Sequence, residues 1–231
     1  MPRLTAALAV SALLSLPALA GTPLEEALAA SQDGPLYSFE IAFRNEDTDA
    51  RIAVDPSRPE GERVTVLSPA EEDWSEAFAA RVAEMQANTT GDIWCRKLAE
   101  NIPDEVQLAS ETDTTATYTF TPKPGEEPNR MDKAYKHLTG TVVVDKVDPA
   151  ILHFSMVADK PFKPMPVAKI RSFEMKVDCT RAPDGRTHVS TVDVNLSGSA
   201  MMQSFSQADH QKISNLQALP GPVPPSGAGT K

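Results

Sequence analysis

Tyr37-Ser38-Phe39-Glu40-Ile41-Ala42-Phe43-Arg44 puts an aromatic or aliphatic side chain at every second position, with small or charged residues between them. Successive side chains of an extended strand point to opposite faces, so this rhythm describes a strand with one face buried and the other wet. Working outward, the same period or a β-branched run recurs at 51–54, 63–66, 106–110, 116–121, 140–145, 151–158, 169–179 and from His188 to Leu196 or beyond. Breaker clusters separate these segments: Asn45 to Asp49, Pro56 to Gly61, and two hairpin turns at Val147-Asp148-Pro149-Ala150 and Ala182 to Arg186. Strands in meander order, without alternating helices, cannot build parallel units. The expected fold class is mainly β (α+β): a single curved antiparallel sheet of about 8–9 strands, a half-barrel, covered by one long helix.

That helix is read over 69–87. Ser68-Pro69-Ala70-Glu71 has the form of a capping box, and Trp74, Phe78, Val82 and Met85 fall on one stripe. A shorter helix starts at Thr22-Pro23-Leu24-Glu25, with a hydroxyl cap, Pro at the first position and Glu three residues after the cap.

The first residues have a different character. Met1-Pro2-Arg3, an uncharged run from Leu4 to Leu16 and Pro17-Ala18-Leu19-Ala20 form the three regions of a secretory signal peptide. The apolar run is shorter than the roughly 20 residues that a membrane-spanning helix needs, so no transmembrane anchor is expected in the mature chain. The organisation expected is a signal peptide at 1–20, a single β-rich domain at 21–218 and a disordered Pro/Gly-rich tail at 219–231. The protein is thus expected to be exported, to the periplasm or beyond.

Of the 231 residues, 22 are Lys or Arg and 32 are Asp or Glu. Loss of Arg3 with the leader leaves 21 against 32, a formal charge of −11. Such a field repels nucleic-acid phosphates and anionic lipid headgroups, so neither nucleic acid nor peripheral membrane binding is expected from net charge. The two cysteines, Cys95 and Cys179, read as one structural disulfide in an oxidising compartment, since a redox-active pair would want a short spacing such as C-x-x-C.

Cys179 shares a strand face with Phe173, Met175 and Val177, which brings the exit of the long helix onto the apolar side of the sheet. Phe39, Ile41, Phe43, Ile52, Val54, Tyr118, Phe120, Phe154, Met156, Phe173 and Met175 would then line the space beneath it. If the helix fills that space they are a core; if it covers it only in part, they line an apolar ligand pocket. Periodicity does not separate the two.

Signs of chemistry are sparse. His137, His153, His188 and His210 stand alone in sequence, no G-x-S-x-G elbow occurs, and Ser197-Gly198-Ser199 reads as a strand bulge. Asp209-His210 is a conceivable acid–base pair, read as solvated surface. No catalytic residue, cofactor or metal ligand is therefore assigned. Lys160 to Pro166 reads as a stiff extended loop offering Phe162 and Met165, either as a lid or docking strip or as a crossover tucked onto the sheet edge. Met201-Met202-Gln203-Ser204-Phe205 is a second, flexible apolar patch.

The run Gly140 to Asp145, then Ile151-Leu152-His153-Phe154, then Phe162-Lys163-Pro164 and the long strand through Phe173 resembles the periplasmic lipoprotein-carrier superfamily, half-barrel proteins of the lipoprotein localisation factor type. The resemblance implies a curved sheet and a lipoprotein-binding role. Together these features lead to an exported, non-catalytic binding protein for an apolar ligand, lipid, lipoprotein or envelope protein. A structural or interaction module with a filled core is the alternative, and a hydrolase the third.

Overall fold

The computed structural model describes residues 21–125 and 134–220. The leader at 1–20 and the tail from residue 221 onward lie outside the described residues. The chain is mainly β, with one large antiparallel sheet of eleven strands that does not close. In chain order these are β1 (Tyr37–Arg44), β2 (Asp49–Val54), β3 (Val64–Ser68), β4 (Gln107–Glu111), β5 (Thr115–Phe120), β6 (Leu138–Asp145), β7 (Ala150–Ala158), β8 (Phe162–Met165), β9 (Ala168–Arg181), β10 (Thr187–Ala200) and β11 (Gln203–Ala218). Ten lie side by side as β3-β2-β1-β11-β10-β9-β7-β6-β5-β4, and β8 pairs with β9 next to β7.

This order is an up-and-down meander cut once. Sequence neighbours pair nearly everywhere, the first strand pairs with the last, and the neighbours that do not pair are β7 with the short β8 and, at the two edges, β3 with β4. The chain between those two edges carries the helices. Strand β11 was not expected: eight or nine strands become eleven because residues 203–218 form a central strand and 162–165 a short one.

The expected single helix over 69–87 is corrected. Ser68 is committed to the ladder opposite Arg51, so its capping box does not form, and a 3-10 turn at Glu71–Asp73 is followed by extended Trp74. The α-helix, α2, runs Glu76–Asn88, capped by Ser75, whose Oγ accepts the Phe78 N–H at 3.2 Å. Trp74 packs edge-on against Phe78 at 5.5 Å, and its indole N–H donates to the Pro69 carbonyl. The earlier helix, α1 (Pro23–Ala29), forms with the capping box expected of it: Thr22 Oγ1 accepts the Glu25 N–H, and Glu25 Oε2 accepts the Thr22 N–H at 2.7 Å. A third segment, the 3-10 helix Cys95–Asn101, follows α2.

Cys95 and Cys179 are joined, with Cα atoms 6.3 Å apart. The bond ties the 3-10 segment to β9, while α2 packs at the other end of the sheet on β3, so the helix itself is not the element strapped down. Beside it, Trp94 bridges to His188 and stacks under the Arg186 guanidinium, 3.6 Å from the ring centroid. Arg186 also donates to the carbonyls of Gln32 and Pro35 and pairs with Asp184 at 2.6 Å, with its side chain almost wholly buried. One side chain thus joins the N-terminal segment, the β9–β10 turn and the connection after α2. Burial raises the Asp184 carboxyl, but the Arg186 bonds outweigh it and hold Asp184 below the usual range.

Candidate functional site

Ladder register shows how the candidate residues share a face. Phe39 sits opposite Val54, Ile41 opposite Ile52, Tyr118 opposite Val142, Val142 opposite Phe154, Met156 opposite Met175, and Phe173 opposite Leu196. Directly opposed residues project to the same side, so all eleven candidate lining residues lie on one face of the sheet. Phe120 reaches across Gly140, where a Cβ would stand 2.3 Å from its ring. A bulge at Ser197/Gly198 resets the phase of β9, which is why Ile170 and Phe173 both reach the core while Arg171 between them does not follow strict alternation.

The face is not one field. Tyr118, Phe120, Phe154, Met156 and Phe173 are buried in a large cluster with Cys95, Cys179 and the α1 residues Leu24 and Ala27, and Met175 packs against it half-buried. Phe39 and Val54 belong to a second, small cluster with Ile93, against which Ile41 packs. A third joins Ala50 to Phe78 and Val82 of α2. The division follows β11. Its residues on this face include Gln207, Asp209 and Gln211, opposite Leu196, Val194 and Val192. A polar seam therefore runs down the middle of an otherwise apolar surface.

At that seam sits a buried carboxylate. Asp209, read from sequence as solvated surface, is 7% exposed. It accepts from Arg81 of α2 at 3.0 Å, from Gln207 at 2.8 Å and from Asn45 at 3.4 Å. Burying a charge without such partners would be prohibitive, and of the three donors Arg81 is the one that ties α2 to the sheet. The Arg81 guanidinium also covers the Phe43 ring at 4.3 Å. Its neighbour His210 points to the opposite face and pairs with Asp193.

Between α2 and the sheet lies a cleft of about 360 Å³. Ile41, Phe43 and Ile52 form its floor, Met85 and Arg81 belong to its roof, and Gln211 closes the seam side. This lies within the range of small-molecule sites, at the lower end, with an apolar base and a polar rim made by Arg81, Glu84, Asn88, Thr89 and Gln211. Three of the residues singled out from sequence, Ile41, Phe43 and Ile52, thus meet here, and the others are packed away from it.

The segment 160–166 divides between its two expected roles. Phe162 is buried in the large cluster and stacks on His137 at 4.7 Å, so it tucks inward rather than being offered outward. Met165 points to solvent.

The other face of the sheet is wet. His153 pairs with Asp178 at 2.7 Å, and Asp178 also accepts from Thr191 Oγ1 at 3.0 Å. The His153 hydrogen bond, opposed by burial and helped by Thr191, holds the Asp178 carboxyl below its ordinary value. Among the described residues no Ser, Thr or Cys side chain bonds the other ring nitrogen of His153, and no three His, Cys, Asp or Glu side chains are grouped to hold a metal ion. Nor is any helix among them long and apolar enough to cross a membrane, which with the disulfide is compatible with an exported protein. No family model matches the sequence, and searches of curated proteins and of solved structures returned no match.

Proposed function

We propose that this is an exported, non-catalytic binding protein of the cell envelope that receives the acyl chain of a lipid or lipidated protein in the cleft beneath α2, on the inner face of a half-barrel. The observation that carries this is the cleft itself: an apolar floor of Ile41, Phe43 and Ile52 beside the line where Phe78 and Val82 of α2 pack on the sheet, next to a polar seam. Sheet width supports the curvature. Ten strands side by side span about 43 Å, whereas each helix covers about 10 Å. Met175, Val192, Val194 and Leu196 on the stretch between the roofed ends are nevertheless partly buried against the large cluster, as expected when the sheet curls around them.

The second reading, an interaction module with a filled core, draws on the other end, where Phe154, Val142 and Val144 have no exposure at all. Displacement of an environment-sensitive apolar dye by a long-chain fatty acid separates the two. Uptake by the wild type, with loss of at least tenfold in affinity in Met85→Glu, supports the cleft. A chain that takes up no dye, or a variant that binds as the wild type does, overturns it. Native mass spectrometry of protein taken from its own envelope fraction would then identify the occupant.

A further inference from the structure

Two hairpin tips stand side by side at one end of the sheet, and their chemistry contradicts the rest of the chain. The β8–β9 turn follows Met165, and the β10–β11 turn consists of Met201 and Met202; Ala168 pairs with Ala200, and the Met201 N–H donates to the Val167 carbonyl at 3.0 Å. Met165, Val167, Met201 and Met202 are 54, 57, 77 and 101% exposed, so four apolar side chains project together into solvent.

The Met-Met turn is unfavourable as well as exposed. Both residues adopt left-handed backbone, with φ of 49° and 68°. Such a two-residue turn is ordinarily built from Asn-Gly, because left-handed backbone is costly for a side chain like methionine. Contacts within the chain do not offset that cost for side chains so exposed.

Charge supplies the partner's identity. Residues 160–173 contain Lys160, Lys163, Lys169 and Arg171 and no acidic residue, while residues 194–208 carry no charge at all. The chain as a whole is at −10. Arg171 is set at the base of the tips, donating to the Gly198 carbonyl at 2.7 Å and to Ser204 Oγ at 2.8 Å, and so binds the two hairpins into one unit. Lys160 and Lys163 also border a surface cleft with Lys136 and His137, in which Asp159 is the acidic member.

We infer that this end of the sheet docks on an anionic lipid bilayer, with Met165, Val167, Met201 and Met202 entering the acyl boundary and Lys160, Lys163 and Lys169 at the headgroups. Apolar insertion combined with basic residues is the pairing that holds proteins at such interfaces. The overall negative charge then keeps the remainder of the molecule off the surface and orients it tip-first. This inference is independent of the acyl cleft, which lies under α2, and either can fail without the other.

The test is co-sedimentation of the mature chain with vesicles of phosphatidylcholine alone and of phosphatidylcholine mixed with phosphatidylglycerol. Binding to the mixed vesicles, weak binding to the neutral ones and release by salt are expected. Met201→Asn with Met202→Gly installs the favoured turn sequence, so it should fold at least as stably as the wild type, yet lose about tenfold in vesicle affinity for each methionine removed. Replacing Lys160, Lys163 and Lys169 by Gln should cost about fivefold per lysine on the mixed vesicles. Equal binding to both kinds of vesicle, or undiminished binding by the Asn-Gly variant, overturns the inference. So does a wild type that ignores vesicles but self-associates in sedimentation velocity through the methionine tip, since the surface would then serve a second copy of the chain.

Discussion

The two ends of the apolar face are made by the same alternation and finished in opposite ways. At the β5–β6–β7–β9 end, α1, the disulfide and the 3-10 segment press onto a cluster whose central side chains have no exposure. At the β1–β2–β3 end, α2 rests on one small cluster, a second lies apart from it, and a cleft and a partly buried ion pair flank the helix. Strand pattern alone therefore does not decide between core and pocket. What decides is how the covering element is held, by apolar contact and sulfur at one end and by Arg81 and Asp209 at the other.

The sharpest way to break this contrast is to delete one ring from each end. Phe154→Ala removes a side chain with no exposure from the middle of the large cluster, and should lower unfolding stability by about 3–5 kcal/mol. Phe43→Ala opens onto an existing cleft beneath the Arg81 guanidinium, where relaxation is easier, and should cost about half as much. Urea denaturation of both variants measures the difference. Equal losses would mean that the α2 end is as tightly packed as the other.

Next in size is the Arg81–Asp209 ion pair. Arg81→Ala leaves Asp209 with Gln207 and Asn45 but no cation; because Arg81 is partly solvated, the expected cost is about 2 kcal/mol rather than the larger figure for a fully buried pair. Asp209→Asn, which removes the charge that needs a partner, should cost less than Arg81→Ala. If Arg81→Ala is the milder of the two, the ion pair is not what positions α2.

Much of the covered end was legible in the sequence, and the seam was not. Alternation in β6, β7 and β9, the Thr22 capping box and the pairing of Cys95 with Cys179 could all be read because each is a local pattern or a simple count. Strand β11 could not. Gln207, Asp209 and Gln211 occupy the positions that an amphipathic strand would fill with apolar residues, and its place in the sheet comes from backbone pairing with β1 and β10. The start of α2 was misplaced for a related reason: Ser68 and Ser75 both precede helix-forming residues, and only the ladder bond opposite Arg51 takes Ser68 out of contention. The Met201-Met202 turn lacks the Gly or Asn that ordinarily signals such a hairpin.

The smallest expected effect is in acid, and it falls on the covered end. Asp184 lies in the β9–β10 turn there, and Asp145 ends β6 where the β6–β7 turn begins. Burial raises each carboxyl, but bonds from Arg186 to Asp184, and from the Asp148 and Val147 backbone and Arg181 to Asp145, outweigh it, so both are held below the ordinary value. A carboxylate whose folded pKa is depressed contributes stability that is complete above its unfolded value of about 3.9 and is lost as pH falls through the folded pKa. Stability should therefore be flat with respect to these groups from neutral pH down to about 4, and decline below it. In Asp184→Asn the group no longer titrates, so the acid slope of the urea midpoint should become shallower, even though the variant is less stable at neutral pH. An unchanged slope would place the acid-sensitive contacts elsewhere and remove the β9–β10 turn from the set of ties that hold the covered end shut.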